Sequence, residues 1–213
     1  MPFQMALDEV LFDKQKLVKQ DPILRFYFSS GAWISVGYSY RDPSKILSSD
    51  LVRKNPGVPS VKRLTGGGCV LHGQDLIFSF IGRAECDPER LRSVRTSYGL
   101  IHEGVKMAFK KFGFDLKFYD PLQELPQGND CFDFPVVSDL SWQGKKIAGG
   151  AQKRSQGVLL HHESIQVPQG IGRDVLIENI RQGFETIFGV SIENQVLEPE
   201  SFFQAMRKVE GQS

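Results

Sequence analysis

Apolar residues recur at helical spacing in three stretches of the chain. The first covers residues 3–17, where the apolar positions among the charged residues are Met5, Leu7, Val10, Leu11 and Leu17. This spacing is typical of an amphipathic helix. A second helix is predicted over residues 98–113, with Thr96 or Ser97 as its cap and Gly113 where a helix tends to stop.

The third stretch predicts a helix that begins at Asp174 and ends before Gly189. Other stretches are rich in aromatic and β-branched residues and predict strands. Two of them, residues 23–30 and 32–39, are separated by Ser-Gly and are expected to pair with each other. The remaining predicted strands include residues 60–64, 69–72, 76–81 and 114–119. Because strands come in groups between isolated helices, the predicted class is α+β, with a mixed, largely antiparallel sheet flanked by helices.

Length and composition exclude several classes of protein. A chain of 213 residues that is 40% hydrophobic and 24% charged is expected to form a single domain over residues 1–213. Because no apolar run reaches the length of a membrane span and no signal pattern opens the chain, we expect a cytoplasmic protein without a membrane partner. Twenty-six basic residues against 25 acidic ones give a net charge of +1, which does not favour nucleic acid as a partner.

Cysteine and histidine spacing bears on metal chemistry. The cysteines are odd in number and lack CxxC spacing, which disfavours disulfides and structural zinc; they are Cys69, Cys86 and Cys131. Residues 157–165 predict a strand on which His161 and His162 face opposite sides. The two lack the i, i+4 spacing and HExxH pattern of zinc sites, so we expect no metal. His102, next to the apolar stripe of its helix, is interpreted as structural.

A glycine run interrupts the predicted strands at residues 63–74, "RLTGGGCVLHGQ". Glycines inside a sheet mark a bulge, a sharp turn, or a close approach of the backbone to a ligand. The backbone N–H groups of Gly66, Gly67 and Gly68 can face a carboxylate, a carbonyl or a phosphate. The spacing matches neither the Walker loop nor GxGxxG. The pattern leaves a binding loop and a structural turn both open.

Residues 140–150 predict a hairpin with a two-residue turn at Gln143-Gly144. In that register Trp142 faces Lys145, Ser141 faces Lys146 and Leu140 faces Ile147. Alternation then places Lys146 among small residues, namely Ser141, Ala148 and Gly150. The space before its ammonium group suits a substrate acyl group or phosphate. A solvated hairpin end fits the same pattern.

Four motifs, in this order, resemble the catalytic domain of the lipoate-protein ligase and octanoyltransferase family, the relatives of biotin ligases. They are "MALDEVLF" at 5–12, "RLTGGGCVLHG" at 63–73, "GKKIAGGAQ" at 144–152 and "GVLLHHESI" at 157–165. The resemblance extends roughly over residues 3–190. It implies the biotin/lipoate ligase catalytic-domain fold, with a medium-chain acyl group in a tunnel walled in part by the glycine run.

The resemblance also implies the residues of the site. Lys146 matches the lysine that the family uses at its reacting carbonyl. The first set of implied acyl- and substrate-binding residues is Arg63, Thr65, Gly66, Gly67, Gly68, Cys69 and His72. The second set is Gly149, Gly150, Ala151, His161 and His162.

Within the family, the octanoyltransferases of Bacillus-type bacteria resemble this chain most. Residues 131–140, "CFDFPVVSDL", match their cysteine followed by proline and an acidic-aliphatic pair. The resemblance implies that Cys131 takes octanoyl from acyl carrier protein as a thioester. The group then passes to a lysine of a lipoyl carrier domain, either the glycine cleavage H protein or a 2-oxoacid dehydrogenase E2. Asn129-Asp130 and Gly68 look more like the ligases, and Gly73 replaces an aspartate common in both.

The implied mechanism pairs Cys131 with Lys146, which stabilises the thiolate and moves a proton, without any cofactor. We expect a monomer without an accessory C-terminal domain. One alternative is a lipoate-protein ligase that uses ATP and Mg to form lipoyl-AMP, in which Cys131 is incidental. A second alternative is a non-catalytic protein that binds an acyl group or a carrier domain.

Overall fold

The computed structural model of the chain describes residues 1–40, 49–119 and 138–211. In chain order its helices are α1 (Pro2–Leu17), α2 (Asp50–Lys54), α3 (Pro88–Leu91), α4 (Val94–Lys110), α5 (Arg173–Phe188) and α6 (Pro199–Glu210). Its strands are β1 (Ile23–Tyr27), β2 (Trp33–Val36), β3 (Ser60–Lys62), β4 (Cys69–His72), β5 (Leu76–Arg83), β6 (Lys117–Phe118), β7 (Leu140–Trp142), β8 (Lys145–Ser155) and β9 (Val158–Ile165).

The strands form two sheets. The larger one has the order β1-β5-β9-β8-β7-β6, with antiparallel neighbours throughout. The smaller one has the order β3-β2-β4, with β2 parallel to β3 and antiparallel to β4. The predicted α+β class is therefore confirmed. The expected pairing of residues 23–30 with 32–39 is wrong, because β1 pairs with β5 and β2 lies in the other sheet.

Helices cover both faces of the larger sheet. On one face α4 and α5 pack on the sheet through buried side chains that include Phe78, Ile101, Phe109, Leu159 and Phe184. On the other face α1 packs on the sheet through Leu7, Leu11, Ile81 and Leu160, and α6 packs on α1 through Ala205. Burying one large apolar side chain contributes about 1.5–3 kcal/mol. Because a one-residue slip would turn these side chains to the wrong face, the core also fixes where each polar residue of β9 points.

The helix α4 begins earlier than its sequence predicts. The cap expected at Thr96 or Ser97 is wrong, since Ser93 Oγ accepts the N–H of Thr96 at 3.0 Å and the helix starts at Val94. The actual cap lies one turn upstream, where Arg92 and Arg95 interrupt the apolar spacing. Gly113 follows the helix with a φ of 82°.

Of the two helices near the carboxyl end of the described chain, one was predicted from the sequence and the other was not. The prediction of α5 is confirmed, with a start at Arg173 and a left-handed Gly189 at its end. The helix α6 was not predicted. It packs against α1 through Ala205 but leaves Phe202 and Phe203 exposed by 42% and 59%. Among the described residues, no helix has the length and apolarity that crossing a membrane requires.

Candidate active site

A cleft of about 510 Å³, its solvent-open part included, lies between α1, the smaller sheet and strands β8 and β9. The apolar side chains of its lining are Met5, Val70, Ile77 and Ala151. The polar side chains and glycines of the lining include Ser35, Arg63, Gly67, His72, Lys146, Gly149, Gly150, His162 and Ser164. The cleft therefore has an apolar part and a part rich in charged and hydrogen-bonding groups.

Arg63 holds the glycine loop, residues 65–68, against the rest of the cleft. Its Nη2 donates to the carbonyls of Gly66 and Gly68 at 2.7 and 2.9 Å, and its Nη1 donates to Ser35 Oγ at 2.9 Å. Gly67 has a φ of 85°, a conformation that favours glycine. The loop also reaches β8, because the Gly66 N–H donates to the carbonyl of Gln152 at 3.4 Å. The loop is thus fixed in place before any ligand binds.

His72 belongs to a buried hydrogen-bonded chain. Its Nδ1 lies 2.6 Å from Asp75 Oδ2, its Nε2 lies 2.7 Å from Ser35 Oγ, and Ser164 Oγ donates to Asp75 at 2.6 Å. Burial by itself raises the pKa of the Asp75 carboxyl, but the hydrogen bond and charge of His72 outweigh burial and lower it. The ionised carboxylate therefore orients the His72 ring at the cleft wall.

His162 belongs to a second chain of the same kind. Its Nε2 lies 3.0 Å from Asp8 Oδ2 and its Nδ1 lies 3.0 Å from Thr65 Oγ1. Asp8, on α1, also accepts from Ser79 Oγ at 2.7 Å and pairs with Arg25. Burial raises the pKa of the Asp8 carboxyl, but Arg25 and His162 together hold it below its ordinary value. Through this chain α1 positions both His162 and the first residue of the glycine loop.

The hairpin of β7 and β8 carries Lys146. The predicted pairs of Trp142 with Lys145 and of Ser141 with Lys146 are confirmed. The third is wrong, because a bulge makes Leu140 pair with Ala148 instead of Ile147. Ala148 consequently turns into the core, where it is fully buried. It is Gly149, not Ala148, that lies beside the Lys146 side chain.

Lys146 forms a buried ion pair at the cleft wall. Its Nζ lies 2.7 Å from Asp139 Oδ2, and the two side chains are only 7% and 3% exposed. A Cβ added at Gly149 would come within 2.5 Å of Lys146 Nζ and 2.8 Å of Asp139 Oδ1. The glycine therefore makes room for the pair. A cation held in this way can stabilise a thiolate or a developing oxyanion at the cleft.

A third polar cluster lies on the α4 face of the sheet and contains His102, His161 and Glu163. Glu163 Oε2 lies 2.9 Å from His102 Nε2 and 2.7 Å from His161 Nε2, and all three side chains are fully buried. Burial raises the pKa of Glu163, but the two histidines outweigh it and lower the pKa to about 2. Burial lowers the pKa of His161, whereas Glu163 raises that of His102 despite burial. The cluster thus holds a His102–Glu163 ion pair beside a neutral His161.

The hydrogen bonds of His161 bear on whether this cluster could hold a metal. His102, His161 and Glu163 each offer one ligand atom, and these three atoms lie within 4.8 Å of one another. However, Arg154 donates to Gln152 Oε1, which turns the Gln152 amide nitrogen toward His161 Nδ1 at 3.1 Å. Nδ1 then accepts, so Nε2 carries the proton and donates to Glu163. Because a metal ligand needs a free lone pair at Nε2, the geometry favours an ion-pair cluster.

Most of the residues implied by the resemblance lie together. The cleft is lined by Arg63, Gly67, His72, Lys146, Gly149, Gly150, Ala151 and His162. Thr65, Gly66 and Gly68 support the loop through the hydrogen bonds described above. Cys69 instead packs with Ile34, Val36 and Leu51, and the His161 side chain faces α4. Cys131 lies outside the described residues, so its nucleophilic role stays a prediction.

The sequence predictions missed the carboxylates of the site. Buried acidic side chains orient His162, His72 and Lys146, and a fourth pairs with His102; they are Asp8, Asp75, Asp139 and Glu163. Each lies directly beside an apolar residue or a histidine inside or next to a recognised motif. A charged residue in such a run is rarely buried without a partner, which is the signal that could have identified them.

Sequence comparison with known proteins finds the family that the four motifs resemble. The family model for the lipoyl protein ligase A/B catalytic domain matches residues 1–169. Octanoyltransferase LipM from Bacillus subtilis is 39% identical over 171 residues, and that from Lysinibacillus sphaericus is 38% identical over 170. Each match covers 76% of this chain, and the chain matches 60% of the length of these relatives.

Solved structures share the fold. A crystal structure of lipoate-protein ligase A bound with ATP has a TM-score of 0.78 at 20% identity, covering 98% of this chain and 89% of that one. A bi-partite lipoate protein ligase from Thermoplasma acidophilum has a TM-score of 0.74 at 19% identity, covering 98% and 87%. These neighbours confirm the predicted biotin/lipoate ligase type of fold. Because the family model matches well over half of the chain, the chain belongs to the family of lipoyl protein ligase A/B catalytic domains.

Proposed function

We propose that this chain is an acyltransferase of protein lipoylation that moves octanoyl from acyl carrier protein through a thioester on Cys131 to a lysine of a lipoyl carrier domain. The observation that carries this proposal is the buried Lys146–Asp139 ion pair, which borders a cleft lined in part by apolar side chains. The names of the relatives at 38% and 39% identity support the same activity.

The first half-reaction needs a thiolate and a proton donor. Cys131, as the thiolate, attacks the carbonyl carbon of the donor thioester, and Lys146 stabilises the negative charge. The bond between that carbon and the donor sulfur breaks. The donor arm leaves as a thiol after it takes a proton from the Lys146 ammonium group.

The second half-reaction restores the starting charges. The amine of the carrier-domain lysine attacks the Cys131 thioester and forms an amide, and the bond to Cys131 sulfur breaks. The proton released by the amine returns to Lys146, while Cys131 leaves as the thiolate. Because a thioester lies above an amide in free energy, no ATP is consumed. The proposed acceptors are the lipoyl domains of the glycine cleavage H protein and of 2-oxoacid dehydrogenase E2.

The test is to incubate the protein with octanoyl-acyl carrier protein without ATP and to measure its intact mass. We expect one octanoyl adduct, which is absent in Cys131→Ala and retained in Cys69→Ala and Cys86→Ala. Addition of a lipoyl domain should discharge the adduct. A protein that forms no adduct but lipoylates the domain only with ATP and Mg would be a ligase, and one with neither activity would be a binding protein.

A further inference from the structure

Two lysines lie over one aromatic ring, outside the residues that line the cleft. The Nζ atoms of Lys62 and Lys153 lie 5.5 and 4.5 Å from the ring centroid of Tyr38. Lys62 and Tyr38 are exposed, and Lys153 is half-buried. In the part of the chain that the structure describes, neither ammonium group pairs with a carboxylate. Two cations beside one ring repel each other, and an anion bound between them would relieve that repulsion.

The lysine pair lies beside the glycine loop. Lys62 directly precedes Arg63, which holds that loop, and the Tyr38 N–H donates to the carbonyl of Thr65 at 2.9 Å. Lys153 follows Gln152, whose carbonyl accepts from the loop. Strand β8 thus carries Lys153, the Gln152 carbonyl that anchors the loop, and residues that line the cleft. The elements that carry the two lysines are therefore fixed relative to the cleft.

The distance between the lysine pair and Lys146 can be read along β8. Gly149, Ala151 and Lys153 alternate on one face of this strand, and the Lys146 ammonium group lies over Gly149. Gly149 and Lys153 are four positions apart, which at about 3.3 Å per residue corresponds to about 13 Å. Any ligand that spans the two points must have that length and an anionic end.

We propose that Lys62 and Lys153, flanking Tyr38, bind the phosphate of the phosphopantetheine arm that delivers the acyl group. This inference rests on the proposed function, whose donor carries its thioester on such an arm. Thirteen bonds separate phosphorus from sulfur in the arm, about 15 Å at the extension per bond of a stretched peptide. With the phosphate at the lysine pair, the thioester reaches Lys146, and the octanoyl chain continues to Met5, Val70 and Ile77.

Direct binding tests the site without reference to catalysis. Isothermal titration would compare 4′-phosphopantetheine with pantetheine, which lacks only the phosphate. We expect the phosphorylated compound to bind about 25-fold more tightly at low salt, about fivefold from each lysine, and this preference to shrink at high salt. Lys62→Gln and Lys153→Gln should each lower the preference about fivefold, and the double variant should abolish it.

A matched lysine provides the control. Lys110 is exposed at the end of α4, away from the cleft lining, and Lys110→Gln should keep the full preference. Equal binding of the two compounds to the unaltered protein, or a preference that survives in the double variant, would overturn the proposal. It would also be overturned if AMP bound through the two lysines while phosphopantetheine did not, since the site would then serve a nucleotide.

The acylation assay separates this proposal from the proposed function. The ratio of kcat/KM for octanoyl-phosphopantetheine to that for octanoyl-pantetheine should fall in the double variant as the binding preference does. Using a ratio removes any general loss of activity. If neither thioester acylates the protein but the binding preference depends on the two lysines, the transfer reaction is wrong and the phosphate site stands. If both acylate it at equal rates, the phosphate site is wrong and the transfer reaction stands.

Discussion

Asp139 places the ammonium group of Lys146 over Gly149 at the cleft wall, with both charges buried. Burying two charges is costly, and their attraction offsets that cost only while both remain. The Asp139 carboxylate should therefore affect stability more than the carboxylate of a surface ion pair does. Its removal leaves the Lys146 charge buried without the oxygen that fixes its position.

Asp139→Asn should accordingly lower the free energy of unfolding by about 3–5 kcal/mol, as loss of one partner from a buried pair does. In the proposed reaction, acylation should slow by about 100-fold, because the Lys146 ammonium group would no longer be held in position. The matched control is Asp13→Asn, which removes a surface partner of Lys16 and should cost less than about 1 kcal/mol. Urea unfolding measures the loss of stability in each of the two variants. Equal losses would mean that burial of the Lys146 pair does not affect stability.

Glu163 makes a residue-scale prediction about acid stability. Its pKa is lowered from an ordinary value of 4.5 to about 2, so its ionised form stabilises the fold above pH 4.5. That contribution, about 3 kcal/mol, is lost as the pH falls from 4.5 toward 2. Unfolding measured across this range should therefore show a shallower loss of stability in Glu163→Gln than in the unaltered protein. The buried Asp8 and Asp75 remain in the variant and account for the slope that persists; identical slopes would contradict the prediction.

At the scale of elements, two helices approach each other through glycines. A Cβ added at Gly183 on α5 would lie 3.1 Å from the carbonyl carbon of Gly104 on α4. Since backbone cannot yield as a flexible side chain does, Gly183→Ala should force the helices apart. We expect it to lower the free energy of unfolding by about 1–3 kcal/mol. Gly99→Ala, in open space on α4, should instead raise it by up to about 1 kcal/mol. Thermal unfolding that shifts in the same direction for both variants would refute this packing.

Elements with a local cause could be predicted, and those that depend on distant partners could not. The helix α1 follows from apolar spacing, and α5 follows from apolar spacing and the glycine at its end; both signals are local. The pairing of β1 with β2 looked equally local, but β1 pairs with β5, a buried strand whose edge needs a hydrogen-bonding partner. The bulge at Leu140 shifts the register between β7 and β8, so spacing alone could not show that Gly149 adjoins Lys146.

The same distinction applies to the site. Arg63, His72, Lys146 and His162 were recognised because they fall within motifs whose order is visible in the sequence. Their carboxylate partners were not, since Asp8 meets His162 across more than 150 positions of the chain. Such a contact depends on α1 packing against β9, which neither residue predicts alone. Motif order therefore identified the groups at the cleft, and the tertiary fold identified what holds them.

At the scale of the whole molecule, the apolar part of the cleft exists only when the two sheets and α1 are assembled. Met5 comes from α1, Val70 from the smaller sheet and Ile77 from the larger one. On β4, Val70 lines the cleft while its neighbour Leu71 is 36% exposed. In the proposed reaction, the length of acyl chain that fits should therefore depend on how these three walls meet.

Acyl thioesters of increasing length measure that dependence. Each methylene that enters the cleft should raise kcat/KM about fourfold, at about 0.8 kcal/mol per group, until the chain reaches the end wall. Val70→Trp fills part of this space, so the optimum should move to shorter chains and the rate on octanoyl should fall more than that on butyryl. Leu71→Trp adds the same side chain on the other face of β4 and should keep the original optimum. If both variants retained the same preference, the acyl chain would not lie against Val70, and the apolar wall of the cleft would serve only the packing of the two sheets.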